Sequence, residues 1–227
     1  MRVPTGTRFF AVADVSRETS AVEPEPDAAA QIFGDRIDLA RRFTADLAAV
    51  GEERGLIGPL ELPRLWTRHV LNSAVAAPLF GAGSRVGDVG SGAGLPGLVL
   101  AIARPDVNWV LIEPMERRVA WLSEQVESLG LENVEIVRAR AEEWTEGPVL
   151  DAATARAVSA LRTLIPLTVP LVRDGGELVL LKGAAAEAEI GAAEKQIRRF
   201  RLSDVRVEPV GVDVIAEPTR VIRARVR

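Results

Sequence analysis

The run Arg85-Val86-Gly87-Asp88-Val89-Gly90-Ser91-Gly92-Ala93-Gly94-Leu95-Pro96-Gly97 constrains the fold more than any other part of the chain. A short β-forming segment, Arg85–Val89, gives way at once to glycines at 90, 92 and 94. Those glycines let the backbone turn sharply and approach a ligand closely. An apolar helical run follows over about 95–103, and Pro96 suits its first turn, where the missing N–H costs nothing. A strand, a glycine turn and a helix in immediate succession aim free helix N–H groups at the turn. Ligands of open parallel sheets bind there, outside the carboxyl ends of the strands.

The surrounding rhythm extends this unit into a sheet. Strands are predicted at Asn108–Ile112, Val134–Val137, 150–155 and 177–181, the last entered from an Asp174-Gly175-Gly176 turn. Helices are predicted over 115–129, closed by Gly130 as a C-terminal cap, over 161–172 with breaks at Pro166 and Pro170, and over 184–200. Strand–helix alternation implies a parallel sheet covered on both faces. The last two strands, Ser203–Val210 and 220–226, have no helix between them and suggest an antiparallel closing hairpin. Ahead of the sheet, Ile32, Phe33, Ile37, Leu39, Ala40, Phe43 and Leu47 recur at helical spacing. A second helix from about Pro63 carries Leu65, Trp66, His69, Val70 and Ser73. The expected organisation is therefore a leader over 1–26, a helical lobe over 27–82 and an α/β domain over 83–227. Pro4 and Glu23-Pro24-Glu25-Pro26 oppose regular structure in the leader.

Composition removes several chemistries. The 227 residues include no cysteine, no tyrosine and a single histidine, His69. Disulfides, thiolate metal sites, cysteine nucleophiles and multi-histidine zinc sites lack material, so no metal is expected. No apolar run approaches the ~20 residues of a membrane span, and Met1–Phe10 lacks a signal-type apolar stretch; the expectation is a cytoplasmic protein. The net charge of −4 is uneven, with nine basic against four acidic residues from Lys195 onward. Arg198, Arg199, Arg201, Arg220, Arg223, Arg225 and Arg227 form either an RNA-facing patch or a solvated arginine-rich sheet edge.

The glycine window itself discriminates between nucleotide ligands. Gly92-x-Gly94-x-x-Gly97 satisfies the dinucleotide pattern, but out of register: the first glycine after the strand is Gly90, and Leu95 occupies its third-glycine position. Asp88 stands where dinucleotide sheets keep the strand apolar; its carboxylate can hold the loop or meet a cationic ligand. Glu113 ends the second strand, 23 residues after Gly90, and suits a carboxylate accepting both hydroxyls of an adenosine ribose. Arg138-Ala139-Arg140-Ala141-Glu142-Glu143 follows the third strand and passes where an adenine would lie. As an isolated charge run it is an ordinary helix start, its glutamates favoured by the dipole.

Asp88-x-Gly90-x-Gly92-x-Gly94 followed by Glu113 resembles the S-adenosylmethionine-dependent methyltransferases of the Rossmann-like class I. The chain from about residue 30 to 227 resembles one family among them, the glucose-inhibited division protein B family, also called RsmG. That resemblance rests on Arg68-His69-Val70-Leu71-Asn72-Ser73, on Asp88 through Gly97, on Glu113 to Arg118, on Arg140 to Glu143, on Ala155-Arg156-Ala157 and on Leu181-Lys182-Gly183. The chain departs from the family pattern in two places. Gly58-Pro59-Leu60-Glu61 stands where the family usually has Asn-Leu-Thr, and Asn72-Ser73 where it has Asp-Ser.

The resemblance implies a mostly parallel seven-stranded sheet with helices on both faces and an N-terminal helical lobe. It implies S-adenosylmethionine as cofactor, S-adenosylhomocysteine as product, and small-subunit ribosomal RNA or the 30S particle as partner for a monomeric, non-membrane enzyme. The methyl acceptor it implies is N7 of a single guanine in the 530 loop of 16S rRNA. By the same resemblance Asp88, Gly90, Ser91, Gly92, Gly94, Leu95, Glu113, Ala141, Glu142 and Arg156 contact the cofactor, and Arg156, Lys182 and Arg140 are catalytic. The resemblance makes Lys182 and Arg140 candidates for a phosphate contact or a hydrogen bond to guanine O6; read as a residue alone, Arg156 is alternatively a salt bridge at a strand end. His69 is expected to tie the lobe to the sheet, and Trp66, Trp109, Trp121 and Trp144 to pack in the core. Two further readings stay open: a nicotinamide-dependent oxidoreductase, opposed by Asp88 and the misregistered window, and a non-catalytic RNA-binding module, opposed by the intact glycines and Glu113.

Overall fold

A computed structural model describes residues 21–144 and 149–227; residues 1–20 of the expected leader lie outside them. The lobe contains α1 (Ala28–Phe33), α2 (Ile37–Val50), a π-helix over Leu65–Leu71 and α3 (Asn72–Ala74). Then come β1 (Arg85–Val89), α4 (Gly97–Ala103), β2 (Asn108–Ile112), α5 (Glu116–Leu129), β3 (Val134–Val137) and a 3-10 turn over Ala141–Glu143. The chain finishes with β4 (Leu150–Arg156), α6 (Leu161–Thr168), β5 (Val172–Lys182), α7 (Ala186–Arg199), β6 (Ser203–Val210) and β7 (Thr219–Arg225).

The seven strands form one sheet in the order β3-β2-β1-β4-β5-β7-β6. All neighbours are parallel except the two pairs made by β7. The closing hairpin is present, but β7 is inserted between β5 and β6, so β6 is the edge. Strand order reverses between β1 and β4. That switch point opens a crevice at their carboxyl ends, where the glycine loop and Arg156 lie.

Alternation along the strands splits the core in two. Trp109, Leu111, Val179, Leu181 and Val221 face the lobe, α4 and α5. Val110, Ile112, Leu178, Leu180, Ile222 and Ala224 face α6 and α7. The four tryptophans are all buried, as core packing predicts. The lobe is continuous with the sheet: Phe33, Phe43, Leu47, Leu65 and Trp66 join the same cluster as Val86 and Leu98. Phe43 lies 6.5 Å from Trp121 of α5, ring centre to ring centre. Arg104 fastens the lobe from outside, donating to the carbonyls of Ala77 at 2.6 Å and Phe80 at 2.7 Å.

Four local features differ from the sequence expectation. The end of the expected leader is held: Glu23 accepts the Thr67 N–H at 2.6 Å, and Glu25 pairs with Arg41. The second lobe helix is π over its central turns. Its inward residues explain why: Leu65 and Val70, and Trp66 and Leu71, are all buried and five apart, the hydrogen-bond period of a π-helix. Helix α4 begins at Gly97, with Pro96 as its N-cap and a cis Leu95–Pro96 peptide. Asp174-Gly175-Gly176 is an irregularity inside β5, with a register shift opposite Leu150 and Ala152 and Gly175 at a φ of +78°.

Because lobe and sheet share a core, Phe43→Ala is expected to cost about 3–5 kcal/mol while urea unfolding, followed by tryptophan fluorescence and circular dichroism together, stays a single transition. Two separated transitions would mean that the lobe folds as a separate unit.

Candidate cofactor and active site

The glycine loop is held from below and from the side. Gly90, Gly92 and Gly94 have φ of +75°, +56° and +88°, the left-handed region that side chains resist. Beneath the loop, the fully buried Asp88 accepts the Gly97 N–H on Oδ2 at 2.9 Å. A Cβ at Gly97 would come within 2.5 Å of that oxygen, so glycine at the start of α4 is what lets the carboxylate reach the helix N–H. The Trp121 indole donates to the Ala93 carbonyl at 3.0 Å, a support that nothing in the loop sequence signals. Asp88 is therefore a loop-holding residue and does not line the cavity above. Burial pushes its carboxyl up to about 7, against the pull of Ser91, the Gly97 N–H and the nearby Arg156 charge.

Glu113 holds the loop laterally. Its Oε2 accepts the Gly92 N–H at 2.9 Å and its Oε1 accepts the Met115 N–H at 2.9 Å. One buried carboxylate thus latches the loop to the entrance of α5. Each oxygen retains a second lone pair. Arg118 stands 3.9 Å away, its buried Nε without a hydrogen-bond partner among the described residues.

Above the latch lies a cavity of about 630 Å³, within the ~300–1,000 Å³ typical of small-molecule sites. Of the residues singled out from sequence, Gly90, Ser91, Gly92, Leu95, Glu113, Arg140, Ala141, Glu142 and Arg156 line it; Asp88, Gly94 and Lys182 do not. A Cβ built at Gly92 meets nothing closer than 3.8 Å, so the loop presents bare backbone to open space. Bare backbone beside a carboxylate with spare lone pairs fits an adenosine-bearing ligand. The lobe supplies walls that sequence reasoning missed, Leu56, Ile57, Glu61 and His69, and Val158 closes the loop after β4.

Arg156 ends β4 with its guanidinium inside this wall. It donates to the Arg68 carbonyl at 3.1 Å and meets His69 Nδ1 at 2.8 Å, so His69 does tie lobe to sheet. Burial lowers the Arg156 pKa to about 10, opposed by the Asp88 charge; the group stays cationic at neutral pH. Lys182 is spent elsewhere. Its Nζ donates to the Ser159 carbonyl at 2.7 Å and to Glu189 at 2.9 Å, pinning the loop after β4, and Glu189 also accepts the Leu161 N–H. The ammonium that was expected to meet phosphate or guanine O6 therefore faces the protein.

The C-terminal arginines do not form one surface. Arg225 pairs in register with Ser203 and Glu177, at the end of the sheet where the parallel strands begin, whereas Arg220 pairs with Lys182 at the cavity end. Arg223 is bonded to Glu177 and Glu208, Arg225 to Glu177, and Arg198 to Glu194. Arg220, Arg223 and Arg225 stand on β7, inside the sheet between β5 and β6, so these residues fit neither a solvated sheet edge nor a single RNA-facing patch. Among the described residues no group of three or more His, Cys, Asp or Glu is placed to hold a metal ion, and no helix is long and apolar enough to cross a membrane.

The Asp88 shift gives a pH test. Its folded pKa of about 7 exceeds the ordinary 3.8, so its contribution to stability is complete below about pH 4 and is lost as pH rises toward 7. The unfolding free energy of the wild type relative to Asp88→Asn should fall across that interval, by up to roughly 4 kcal/mol, and level off above it. A pH-independent difference in urea unfolding would mean that Asp88 is ionised throughout.

The family model described as rRNA small subunit methyltransferase G matches residues 36–212. The ribosomal RNA small subunit methyltransferase G of Leifsonia xyli subsp. xyli (strain CTCB07) is 68% identical, over 92% of this chain and 100% of its own length. That of Clavibacter michiganensis subsp. michiganensis (strain NCPPB 382) is 64% identical over 92% of this chain and 99% of its own. Among solved structures, a SAM dependent methyltransferase from Aquifex aeolicus aligns with a TM-score of 0.54 at 20% identity, over 68% of this chain and 89% of that one, a likeness of fold. With the family model covering most of the sheet and lobe, and relatives this similar along nearly their whole length, the chain belongs to the rRNA small subunit methyltransferase G family.

Proposed function

We propose that this protein transfers the methyl group of S-adenosylmethionine to N7 of a single guanine in small-subunit ribosomal RNA, working as a cytoplasmic monomer. The observation that carries the reading is the glycine loop latched by Glu113 at the switch point of the sheet, open to a cavity of about 630 Å³. When bound, S-adenosylmethionine supplies a methyl group already activated on a sulfonium, and the protein contributes orientation and electrostatics. The backbone of Gly90 to Gly92 would hold the amino-acid part, the spare lone pairs of Glu113 the ribose hydroxyls, and Ala141 with Glu142 the adenine edge.

Guanine N7 bears an in-plane lone pair and needs no deprotonation, so the acceptor requires placement in line with the methyl and no general base. The cavity suits such a reaction. Glu113 is committed to two backbone N–H groups and Glu61 to His69 and Arg64, while cations line the wall where the base would enter. Arg156 is the donor for the guanine O6 edge. Arg140, about two-thirds exposed at the cavity and only 3.9 Å from Glu143, is the phosphate contact.

Two measurements check this. Labelled methyl should pass from S-adenosylmethionine to small subunits lacking the modification and map to one guanine N7; cofactor binding without transfer to subunits or rRNA would remove the substrate assignment. Glu113→Ala should weaken S-adenosylmethionine binding about 10- to 100-fold by calorimetry, as loss of hydrogen bonds to a charged acceptor does. Unchanged affinity would place the ribose elsewhere.

A further inference from the structure

The lobe reaches the cavity wall through a directed chain of hydrogen bonds. Glu61 Oε2 lies 2.6 Å from His69 Nε2, and His69 Nδ1 lies 2.8 Å from an Nη of Arg156. A guanidinium carries donors and no acceptor, and an ionised carboxylate carries acceptors and no donor. Nδ1 must therefore accept from Arg156, and the single ring proton must sit on Nε2 and donate to Glu61. The two partners together select one tautomer of a neutral ring. The other Glu61 oxygen is taken by Arg64 at 2.6 Å, which keeps the carboxylate in place.

Arg156 depends on this chain for its direction. Its side chain is largely buried, and among the described residues its Nε has no hydrogen-bond partner and its other hydrogen bond goes to the carbonyl of Arg68, one residue before His69. Both acceptors that hold the guanidinium thus come from the π-helix, whose wide turn places the Arg68 carbonyl and the His69 ring side by side. Lys182 and Glu189 fix the loop just beyond Arg156, so the strand end is rigid and the lobe sets the side chain.

We propose that Glu61 and His69 are positioning residues for methyl transfer: a carboxylate and a neutral Nε2–H histidine hold the Arg156 guanidinium at the wall where cofactor and target base meet. The proposal rests on the functional reading above. It also makes the device sensitive to acid. A second proton on His69 would set an N–H against the guanidinium and break the link. The charged groups facing the ring are Glu61, Arg156 and Arg68, with Asp88 beyond Arg156. Burial, with the Arg156 and Arg68 charges, holds His69 below its ordinary 6.5 against the upward pull of Glu61. The link is intact at neutral pH and is lost as pH falls through that lowered value.

His69 is the only histidine in the chain, so ¹⁵N-histidine labelling of the whole protein reads its tautomer and titration directly. The wild type should show the Nε2–H form at neutral pH and titrate below 6.5. Glu61→Gln still offers an acceptor to Nε2–H, and Arg156 still requires Nδ1 to accept, so the Nε2–H form should persist while the ring is held by a weaker, uncharged partner. The kcat of this variant should fall roughly tenfold, the scale of a lost orienting partner, while the melting temperature and the Kd for S-adenosylmethionine stay near wild type. The acid limb of kcat should move to lower pH, because the carboxylate that raised the histidine pKa is gone, and His69→Ala should remove that limb. A wild-type Nδ1–H tautomer would overturn the proposal. So would a Glu61→Gln enzyme with unchanged kcat and an unmoved acid limb, whether or not its melting temperature falls. If the wild type methylated no rRNA, the functional reading would fail separately, and the tautomer would still report on the link.

Discussion

A buried carboxylate under a glycine turn organises this molecule. Asp88 is the last polar residue of β1, and its bond to the Gly97 N–H joins the end of that strand to the start of α4 across the whole loop. The bond satisfies one of the orphan N–H groups of a helix start and places a negative charge at its positive end. Taking that carboxylate out of water is costly, and its raised pKa is the measure of that cost. What the protein gains is a loop whose course is set before any ligand arrives. Trp121 from one side and Glu113 from the other complete the frame, so the cavity floor is preorganised backbone.

The lobe matters to the site as much as the sheet does. It shares one core with α4 and α5, and through Leu56, Ile57, Glu61 and His69 it forms a wall that the sheet alone lacks. The contact between His69 and Arg156 is therefore a junction of two layers. A shift of the lobe would be felt first at the guanidinium, and the shared core makes such a shift expensive.

The strands flanking the glycine loop were legible because they obey simple rules. β1, β2 and β3 alternate or run apolar between turn signals, and their observed bounds match the expectation. Glu113, 23 residues beyond Gly90, does line the cavity, but its latch on the Gly92 and Met115 N–H groups depends on how the loop and α5 pack and was not legible. The features that escaped depend on long-range partners or on an unusual period. The five-residue spacing of Leu65 with Val70 and Trp66 with Leu71 was present, but it does not fit the 3.6-residue template through which helices are read. Lys182 looked like a ligand group because it ends a strand at the cavity side, and only folding brings Ser159 and Glu189 to its ammonium. The arginine-rich tail looked continuous in sequence, but antiparallel β7 carries Arg220 and Arg225 to opposite ends of the sheet. The partners that neutralise Arg223, Glu177 and Glu208, lie on its two neighbouring strands.

Asp88 and Glu113 build the cofactor loop before any ligand binds. Amide hydrogen exchange of Gly92 and Gly97 in the ligand-free protein tests this most directly, since their N–H groups are the ones these carboxylates hold. Both amides should exchange slowly before S-adenosylmethionine is added, with little further protection on binding. Fast exchange that slows only with ligand would contradict this and would make the loop a product of binding.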